Sequence, residues 1–357
     1  MERFVADLAQ QQVHDGHDVS VICLHPRPGL ESQTSCLNNV TVHHSKIQAH
    51  FGFVPLSPAF APNLRRIVRR TRPDVLHLHL PNPMVFSQRM LPDDVPLVVH
   101  WHADVRGAQG LILGLGYPVY ALFEKAVLRR AAKIIATSPP YLAFSPTLRP
   151  FRSKCHVVPL GMDPQRIQTD RPNGSPGSTI LAVGRLARYK GFEHLIRAAR
   201  SLPQAKVEII GNGPCRPRLE REIQRNKLEN RVRLCGYLPD AKLLNRMAQA
   251  DIFCLPSIHR SEAFGVVLLE AMFLQKPLVS TSIPGSGTGW VNENGKTGYV
   301  VPPGDPDALA KALDRLLDDP AARTAMGIAA RTRFDEHFHI KRCAQAVETV
   351  YDAAYRS

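Results

Sequence analysis

Long apolar runs are missing from this sequence of 357 residues. A membrane-spanning helix needs about 20 consecutive apolar residues, and the most apolar segment, Leu111–Leu122, is interrupted by two glycines and a proline. The first four residues include a glutamate and an arginine, and they have no apolar core of the kind that secretory signals contain. We therefore expect a cytoplasmic protein that does not span a membrane.

Cysteine is scarce and scattered. The seven cysteines form no C-x-x-C pair, and their number is odd. This pattern argues against a disulfide framework and against a zinc knuckle. It fits buried thiols in a reducing compartment.

Acidic residues are outnumbered by basic ones, 31 to 45, which gives a formal net charge of +14. The excess is spread over both halves of the chain, so it predicts an anionic partner rather than a basic tail. Nucleic acid, a membrane surface and a phosphorylated ligand all fit this charge. Aromatic residues make up only 7% of the chain and do not interleave with a basic stripe. A nucleic-acid-binding protein is therefore the weaker alternative, and we expect no nucleic-acid partner.

Short apolar segments alternate with amphipathic ones along the whole chain, which predicts an α/β fold. Asp74–Leu80, Val95–His100, Thr179–Val183 and Ile252–Leu255 are typical of strands buried in parallel sheets. The pattern indicates two Rossmann-like domains, each with helices on both faces of its sheet. Ligands bind beyond the carboxyl ends of the strands in such sheets, so we expect the two domains to face each other across a ligand-binding cleft.

A polar segment rich in proline and glycine, Thr169–Gly177, separates the two halves. We place the first domain at residues 1–165 and the second at residues 166–338. Residues 339–357 have helical periodicity, and we expect this last helix to pack back toward the first domain.

The strongest motif, Ser261–Glu270, follows the predicted strand Ile252–Leu255. Gly265 would let backbone N–H groups at the start of a helix face an anionic ligand. Glu262 precedes that helix, and Glu270 lies on it among apolar residues, where an unpaired carboxylate is costly. We expect both carboxylates to bind ligand hydroxyl groups. The alternatives are a capping acid at position 262 and a solvated glutamate at position 270.

A second motif, Gly184–Gly191, follows the predicted strand Thr179–Val183. Arg185 and Lys190 place two cations at the carboxyl end of a strand, where they can neutralise a diphosphate. A solvated basic loop is the alternative. Gly211-Asn212-Gly213 also follows a predicted strand, but it lacks the third glycine of a dinucleotide fingerprint and is weak by itself.

Taken together, these motifs resemble the GT-B glycosyltransferases of family 4. The resemblance covers about residues 178–335 specifically and the first domain more loosely. It rests on Gly184–Gly191, Gly211–Pro214, Pro256-Ser257, Glu262–Glu270, Ile283–Gly287, Gly295–Asp305, His100–Asp104 and Pro159–Asp163.

The resemblance implies retaining, metal-independent transfer of a sugar from a nucleotide-sugar donor, with no cofactor. Arg185 and Lys190 would hold the donor diphosphate. Glu262 would bind the hydroxyl groups of the donor sugar, and Glu270 would bind the ribose. Other residues implied in donor binding are Gly184, Gly211 and Gly213, together with the backbone N–H groups of Phe264 and Gly265.

In the first domain the resemblance selects His102 as the residue that contacts the sugar and the transition state. His100 and His102 end a predicted strand and alternate onto the same side of it, so periodicity does not distinguish them. Asp104 is a second polar candidate on the acceptor side. The leaving diphosphate can itself take the acceptor proton, so the protein would act mainly by electrostatic stabilisation.

Two segments, Trp101–Asp104 and Gly285–Asn292, are similar to bacterial O-antigen mannosyl- and rhamnosyltransferases. This similarity implies a GDP-linked hexose, mannose or rhamnose, as the donor. It implies a glycan or lipid-linked acceptor in the synthesis of surface polysaccharide or lipopolysaccharide. A nucleotide-sugar epimerase shares the architecture but fits the two glutamates less well.

The beginning of the sequence is unusual for this family, whose members open with a strand and a Gly-Gly loop. Here residues 3–15 already have helical periodicity. We interpret this as a missing first strand and loop. An internal methionine taken as the start would explain it, and an inactive donor-binding remnant is the alternative.

Metal sites are not predicted. Asp305 and Asp307 resemble a D-x-D pair, but they open a helix after Pro302-Pro303-Gly304, so N-capping is the better interpretation. His77 and His79 alternate on a predicted strand with no visible third ligand.

Five arginines lie in the predicted helix Asn63–Arg72, beside a narrow apolar stripe. A solvated helix face is the usual explanation for such a charge run. Because the implied acceptors are lipid-linked, we instead expect this helix to hold the protein peripherally on an anionic membrane surface, on the cytoplasmic face.

Overall fold

A computed structural model describes residues 1–25, 28–51, 54–105, 111–169 and 178–356. The polar segment in which we predicted the domain linker lies largely outside these residues. The chain divides into two compact units. The first contains residues 1–161 and 340–357, and the second contains residues 162–339.

The first unit alternates helices and strands, as the apolar periodicity predicts. Its helices before the second unit are α1 (Glu2–His14), α2 (Phe60–Thr71), α3 (Leu111–Arg130) and α4 (Pro139–Phe144). Its strands are β1 (Ser20–Leu24), β2 (Gln33–Leu37), β3 (Val40–Ser45), β4 (Ala49–Phe51), β5 (Val54–Leu56), β6 (Leu76–Leu80), β7 (Leu97–Trp101), β8 (Lys133–Ala136) and β9 (Cys155–Val157).

Strands β6 to β9 form a parallel sheet in chain order. The expectation of purely parallel sheets is wrong for the preceding segment, because β2 and β3 form an antiparallel hairpin beside β1. Asn38 and Asn39 form the two-residue turn, with φ of 49° and 64°. Two consecutive positive φ angles are typical of the type I′ turn that joins tight hairpins, and asparagine tolerates them better than most residues.

The second unit contains one six-stranded parallel sheet in the order β12-β11-β10-β13-β14-β15. Its strands are β10 (Thr179–Val183), β11 (Lys206–Ile210), β12 (Val232–Gly236), β13 (Ile252–Leu255), β14 (Leu278–Thr281) and β15 (Gly298–Val301). Its helices are α5 (Phe192–Ala198), α6 (Arg216–Arg225), α7 (Asp240–Gln249), α8 (Val266–Phe273), α9 (Thr288–Val291), α10 (Pro306–Asp318) and α11 (Pro320–His337).

The strand order reverses direction at β10, which has β11 on one side and β13 on the other. The loops that leave β10 and β13 therefore diverge, and a crevice forms at such a switch point in open α/β sheets. The central strands bury apolar side chains such as Ile180, Ile209 and Phe253 in the core of the unit.

The last helix, α12 (Ile340–Tyr355), belongs to the first unit. It packs on α1, where the Gln12 amide donates a hydrogen bond of 3.0 Å to the Tyr351 hydroxyl. Among the described helices, none is both long enough and apolar enough to cross a bilayer.

Helix α10 confirms the capping interpretation of Asp305. Its carboxylate accepts hydrogen bonds from the backbone N–H groups of Asp307 and Ala308 at 3.0 and 2.9 Å. Asp305 therefore satisfies donors that the first helical turn leaves without intrahelical partners.

Gly298 allows β15 to approach β14. A Cβ atom at Gly298 would lie 1.8 Å from the carbonyl oxygen of Leu278, and φ is +152°. We expect Gly298→Ala to lower the free energy of unfolding by about 3 kcal/mol, at the upper end of overpacking costs. The added methyl group would clash with a main-chain oxygen, which cannot move aside by changing rotamer as a side chain can. Urea unfolding followed by circular dichroism measures this change.

Gly295→Ala is the matched control in the same turn. Its φ is +78°, and nothing lies within 4 Å of the position that a Cβ atom would take there, so only the backbone conformation is strained. We expect this substitution to cost about 1 kcal/mol. Equal losses for the two variants would contradict the packing argument.

Candidate functional site

The predicted motifs of the second unit converge at the carboxyl ends of adjacent strands. The loop 184–191 follows β10, and the loop 211–215 follows β11. The loop 256–265 follows β13, and the loop 282–287 follows β14. The four strands lie side by side in the sheet, so these loops meet at the switch point.

A buried ion pair joins two of these loops. The Nζ atom of Lys190 lies 2.5 Å from Oε2 of Glu262, and their side chains are only 9% and 12% exposed. The hydroxyl of Ser257 donates to the same Glu262 oxygen at 3.0 Å. The carboxylate of Glu262 is therefore engaged by a lysine and a serine, and the alternative of a capping acid is wrong.

Two glycines make room for this ion pair. A Cβ atom at Gly184 would lie 2.9 Å from Cε of Lys190, so a larger residue would push against the buried lysine. Gly191 has a φ of +64°, and a Cβ there would lie 2.2 Å from the carbonyl oxygen of Pro256. The Ile258 N–H donates to the Tyr189 carbonyl oxygen at 2.8 Å, which holds the lysine-bearing turn against the end of β13.

The glycines at positions 211 and 213 serve a close approach between two loops. A Cβ at Gly211 would lie 2.0 Å from the Gly184 carbonyl oxygen, and one at Gly213 would lie 2.5 Å from that of Leu186. The Leu186 N–H donates to the Asn212 carbonyl oxygen at 2.9 Å. These glycines thus position the backbone of the Arg185 loop, whether or not they also contact a ligand.

Arg185 differs from Lys190 in its exposure. Its side chain is exposed at the switch point, and it forms no ion pair within the part of the chain that the structure describes. The same short loop therefore contains a buried, paired cation, Lys190, and an exposed cation, Arg185.

The start of helix α8 is held from both sides. The Phe264 ring is buried 6.4 Å from the Trp290 ring and 6.0 Å from the Phe338 ring, measured between centroids. Gly265, with a φ of +82°, is the N-cap residue. The Gly287 N–H donates to the Ala263 carbonyl oxygen at 2.7 Å, and the Leu268 N–H donates to the Gly265 carbonyl oxygen at 2.8 Å. These bonds fix the backbone that leads into the first turn of the helix.

Glu270 is 5% exposed, so the alternative of a solvated helical glutamate is wrong. Its Oε1 atom lies 3.0 Å from Nη2 of Arg166. From the sequence we expect a ligand hydroxyl to account for this burial. The structure shows that the Glu270 carboxylate also has a partner within the protein, Arg166. Sequence patterns miss that partner because Arg166 lies 104 residues earlier in the chain.

In the first unit, His102 follows the end of β7, and its Nε2 atom lies 3.0 Å from Nδ1 of His79. Its ring stacks on that of His100 with the centroids 4.5 Å apart, so the two do share one side. Burial lowers the pKa of His102 well below its usual value, and His79 lowers it further. The imidazole is therefore neutral at physiological pH.

Asp104 is engaged by its own surroundings. Its Oδ1 atom accepts hydrogen bonds from Nε1 of Trp101 at 3.1 Å and from the Ser145 hydroxyl at 2.8 Å. The carboxylate therefore fixes the loop that follows His102.

Two family models together match most of the chain. Residues 1–166 match the model described as Glycosyltransferase Family 4, and residues 165–333 match the model described as Glycosyl transferases group 1. The O-antigen chain mannosyltransferase C of Escherichia coli is 30% identical over 293 residues, which are 80% of this chain and 76% of that protein. This chain belongs to glycosyltransferase family 4.

Other proteins resemble this family 4 glycosyltransferase in sequence or fold. The D-rhamnosyltransferase WbpZ of Pseudomonas aeruginosa is 31% identical over 306 residues, covering 83% of this chain and 77% of that protein. The sucrose-phosphate synthase of Thermosynechococcus elongatus has a TM-score of 0.82 at 22% identity, over 98% of this chain and 92% of that chain. Anabaena Alr3699/HepE, solved with UDP and glucose, has a TM-score of 0.72 at 18% identity, over 97% and 94% of the two chains. The fold is the GT-B fold.

The Lys190–Glu262 pair should be strongly coupled. We expect Lys190→Met and Glu262→Gln each to lower the free energy of unfolding by about 3–5 kcal/mol, because each leaves a buried polar or charged group without its partner. The double variant should lose much less than the sum of the two. A double-mutant cycle in urea measures the coupling.

The pair Arg216 and Glu220 is the exposed control. Its Nε–Oε1 distance is 2.8 Å, and both side chains are nearly half exposed. We expect the corresponding cycle to give only about 0.3–0.5 kcal/mol. A coupling between Lys190 and Glu262 as small as this would show that their burial has no energetic consequence.

Proposed function

We propose that this family 4 glycosyltransferase moves a hexose from a nucleotide-diphosphate sugar to an acceptor, with retention of anomeric configuration. The observation that carries the proposal is the buried Lys190–Glu262 pair beside the exposed Arg185, at the switch point of the second unit. Two cations suit a diphosphate, and a carboxylate suits sugar hydroxyl groups.

In the complex with the sugar donor, Lys190 would contact both the donor diphosphate and Glu262. In the absence of ligand the pair neutralises both groups, so neither carries an uncompensated buried charge. A diphosphate that contacts Lys190 and Arg185 would stabilise the cations, while sugar hydroxyl groups donate to Glu262. The backbone N–H groups of Phe264 and Gly265, at the start of α8, would donate hydrogen bonds to anionic oxygens of the sugar donor.

Glu270 and Arg166 form a second buried pair in the same unit. We assign Glu270 to the ribose of the donor, and Arg166 holds the carboxylate in place for that contact. The sugar is mannose or rhamnose and the nucleotide is GDP. The similarity to a mannosyltransferase and a rhamnosyltransferase supports the sugar. The UDP in a structure of the same fold supports only a nucleotide-sugar as the donor class.

The first unit would bind the acceptor, a glycan or lipid-linked sugar of bacterial surface polysaccharide. His102, held by His79, contacts hydroxyl groups as a neutral imidazole, and Asp104 maintains the neighbouring loop. The leaving diphosphate takes the acceptor proton, while Arg185 and Lys190 stabilise its growing charge. The transfer therefore requires no metal at the diphosphate.

Arg185 offers a test that leaves the buried pair intact. We expect Arg185→Ala to weaken the binding of GDP-mannose and to lower mannose transfer about 10²–10³-fold, because a preorganised cation is lost from the departing diphosphate. The measurements are calorimetry with GDP-mannose and GDP-rhamnose, and transfer of labelled sugar to lipid-linked oligosaccharide.

Arg188→Ala is the matched control, since Arg188 is exposed in the same loop. It should bind and transfer like the unmodified enzyme. Equal effects of both substitutions would sink the assignment of Arg185. Donor binding without any transfer would favour the inactive remnant.

Helix α2 supports attachment to an anionic membrane. Phe60 and Val68 are buried, and they fix the inner face of the helix. The predicted helix extended to Arg72, whereas α2 ends at Thr71 and Arg72 is its C-cap residue. Four arginines of the helix and Arg72 are exposed, and they pair with no carboxylate among the residues that the structure describes: Arg65, Arg66, Arg69, Arg70 and Arg72. A basic residue near an anionic lipid surface contributes about 1 kcal/mol, which suffices for reversible peripheral binding.

Replacing Arg65, Arg66, Arg69 and Arg70 with glutamine should abolish most sedimentation with phosphatidylglycerol vesicles, because up to about 4 kcal/mol of attraction is removed. Binding of the unmodified protein should also weaken with salt, as the Debye length falls from about 10 Å at 0.1 M to about 3 Å at 1 M. Vesicles of phosphatidylcholine should bind neither protein.

Helix α6 provides a control of equal charge. It carries four arginines, three of which pair with glutamates: Arg216 with Glu220, Arg218 with Glu193, and Arg225 with Glu222. Replacing its four arginines with glutamine should leave vesicle binding nearly unchanged. A comparable loss from this variant would indicate a general charge effect and not a docking helix.

A further inference from the structure

Three histidines of the first unit lie together on one face of its parallel sheet. His77 and His79 alternate along β6, and His79 is the register partner of His100 on β7. Parallel register places the side chains of aligned residues on the same face. One ligand nitrogen from each of His77, His79 and His100 lies within 4.8 Å of the others.

Within this histidine cluster, His100 is buried and His77 and His79 are half-buried. The Phe4 ring of α1 packs edge-on against His79 and His100, with centroids 6.1 and 5.1 Å apart. Three ring nitrogens are buried without a hydrogen-bond partner among the described residues: Nε2 of His77, Nδ1 of His100 and Nε2 of His100. A neutral imidazole carries one N–H donor and one acceptor, so each unpartnered nitrogen costs free energy in a dry interior.

Burial lowers the pKa of His79 to about 3, and it lowers the pKa values of His77 and His100 well below their usual value. A metal ion binds the neutral form of histidine.

We propose that His77, His79 and His100 bind a divalent transition metal ion, with zinc as the ion that this all-imidazole ligand set best suits. Three histidines around zinc leave a fourth position for water or another ligand. Zinc–nitrogen bonds are about 2.0–2.1 Å long, so binding would draw the three nitrogens closer together by rotation of the rings. The His77 and His79 pair, which had no third ligand in the sequence, acquires one from the neighbouring strand.

Residues around the cluster are arranged as outer partners. The Tyr351 hydroxyl lies 2.6 Å from Nδ1 of His77 and receives a hydrogen bond from Gln12. On the opposite side, Nδ1 of His79 lies 3.0 Å from Nε2 of His102. Metal-bound histidines usually have such a partner on the other ring nitrogen, which fixes the ring orientation. The ion would thus hold β6, β7 and the ring that positions His102, and this role does not depend on the donor chemistry of the second unit.

The test measures metal binding directly. The full-length protein is stripped with a chelator, given one equivalent of Zn²⁺, desalted, and analysed by elemental mass spectrometry and by X-ray absorption at the zinc edge. We expect about one zinc per chain, bound by imidazole nitrogens at about 2.0 Å, together with a higher melting temperature. Absence of retained zinc, or sulfur in the coordination shell, would overturn the proposal, the latter by pointing to a cysteine site.

The variants His77→Gln and His100→Gln should each weaken zinc binding by more than about tenfold, since even the loss of an outer partner costs about 10–100-fold. His43→Gln is the matched control. His43 is a buried histidine of β3 whose Nε2 atom also lacks a partner among the described residues, but it lies outside the cluster. Equal retention by all three variants would refute the site. The absorption spectrum of the unmodified protein decides the question if a variant fails to fold.

Discussion

The organisation of the candidate donor site depends on the buried contact between Lys190 and Glu262. Neither charge is stable alone where it lies, so the loop after β10 and the loop after β13 must meet. Gly184 gives the lysine its space, Gly191 lets its turn approach β13, and Ser257 satisfies the carboxylate further. The contact therefore fixes loop positions as well as charges, and it explains why several small residues surround two long polar ones.

Local signals in the sequence were sufficient for much of this structure. Apolar runs predicted β10 and β13 with their observed bounds, because a strand buried on both faces needs only a short uninterrupted apolar segment. Asp305 was identified as a cap from the proline and glycine beside it. Arg185, Lys190 and Glu262 could be proposed as candidates for a similar reason, since each lies in the loop that follows a recognisable strand.

The remaining features depend on contacts between distant parts of the chain. The partner of Glu270 is Arg166, and no short-range pattern connects them. His100 stands beside His79 only because β6 and β7 pair in one register, which alternation within either strand cannot reveal. The β2–β3 hairpin was missed for another reason. Its Asn-Asn turn is a weaker signal than Asn-Gly, and β2 is exposed, so its residues show no apolar pattern.

The chain has two tryptophans, one in each unit, and each lies next to candidate functional residues. Trp290 packs on Phe264, next to the glycine that opens α8, whereas Trp101 donates to Asp104 beside His102. Each unit thus contains one tryptophan, adjacent to its own candidate residues. Replacing either tryptophan leaves a single indole, which is excited selectively at about 295 nm, so changes in the first unit and in the second unit can be recorded as separate optical signals without any attached dye.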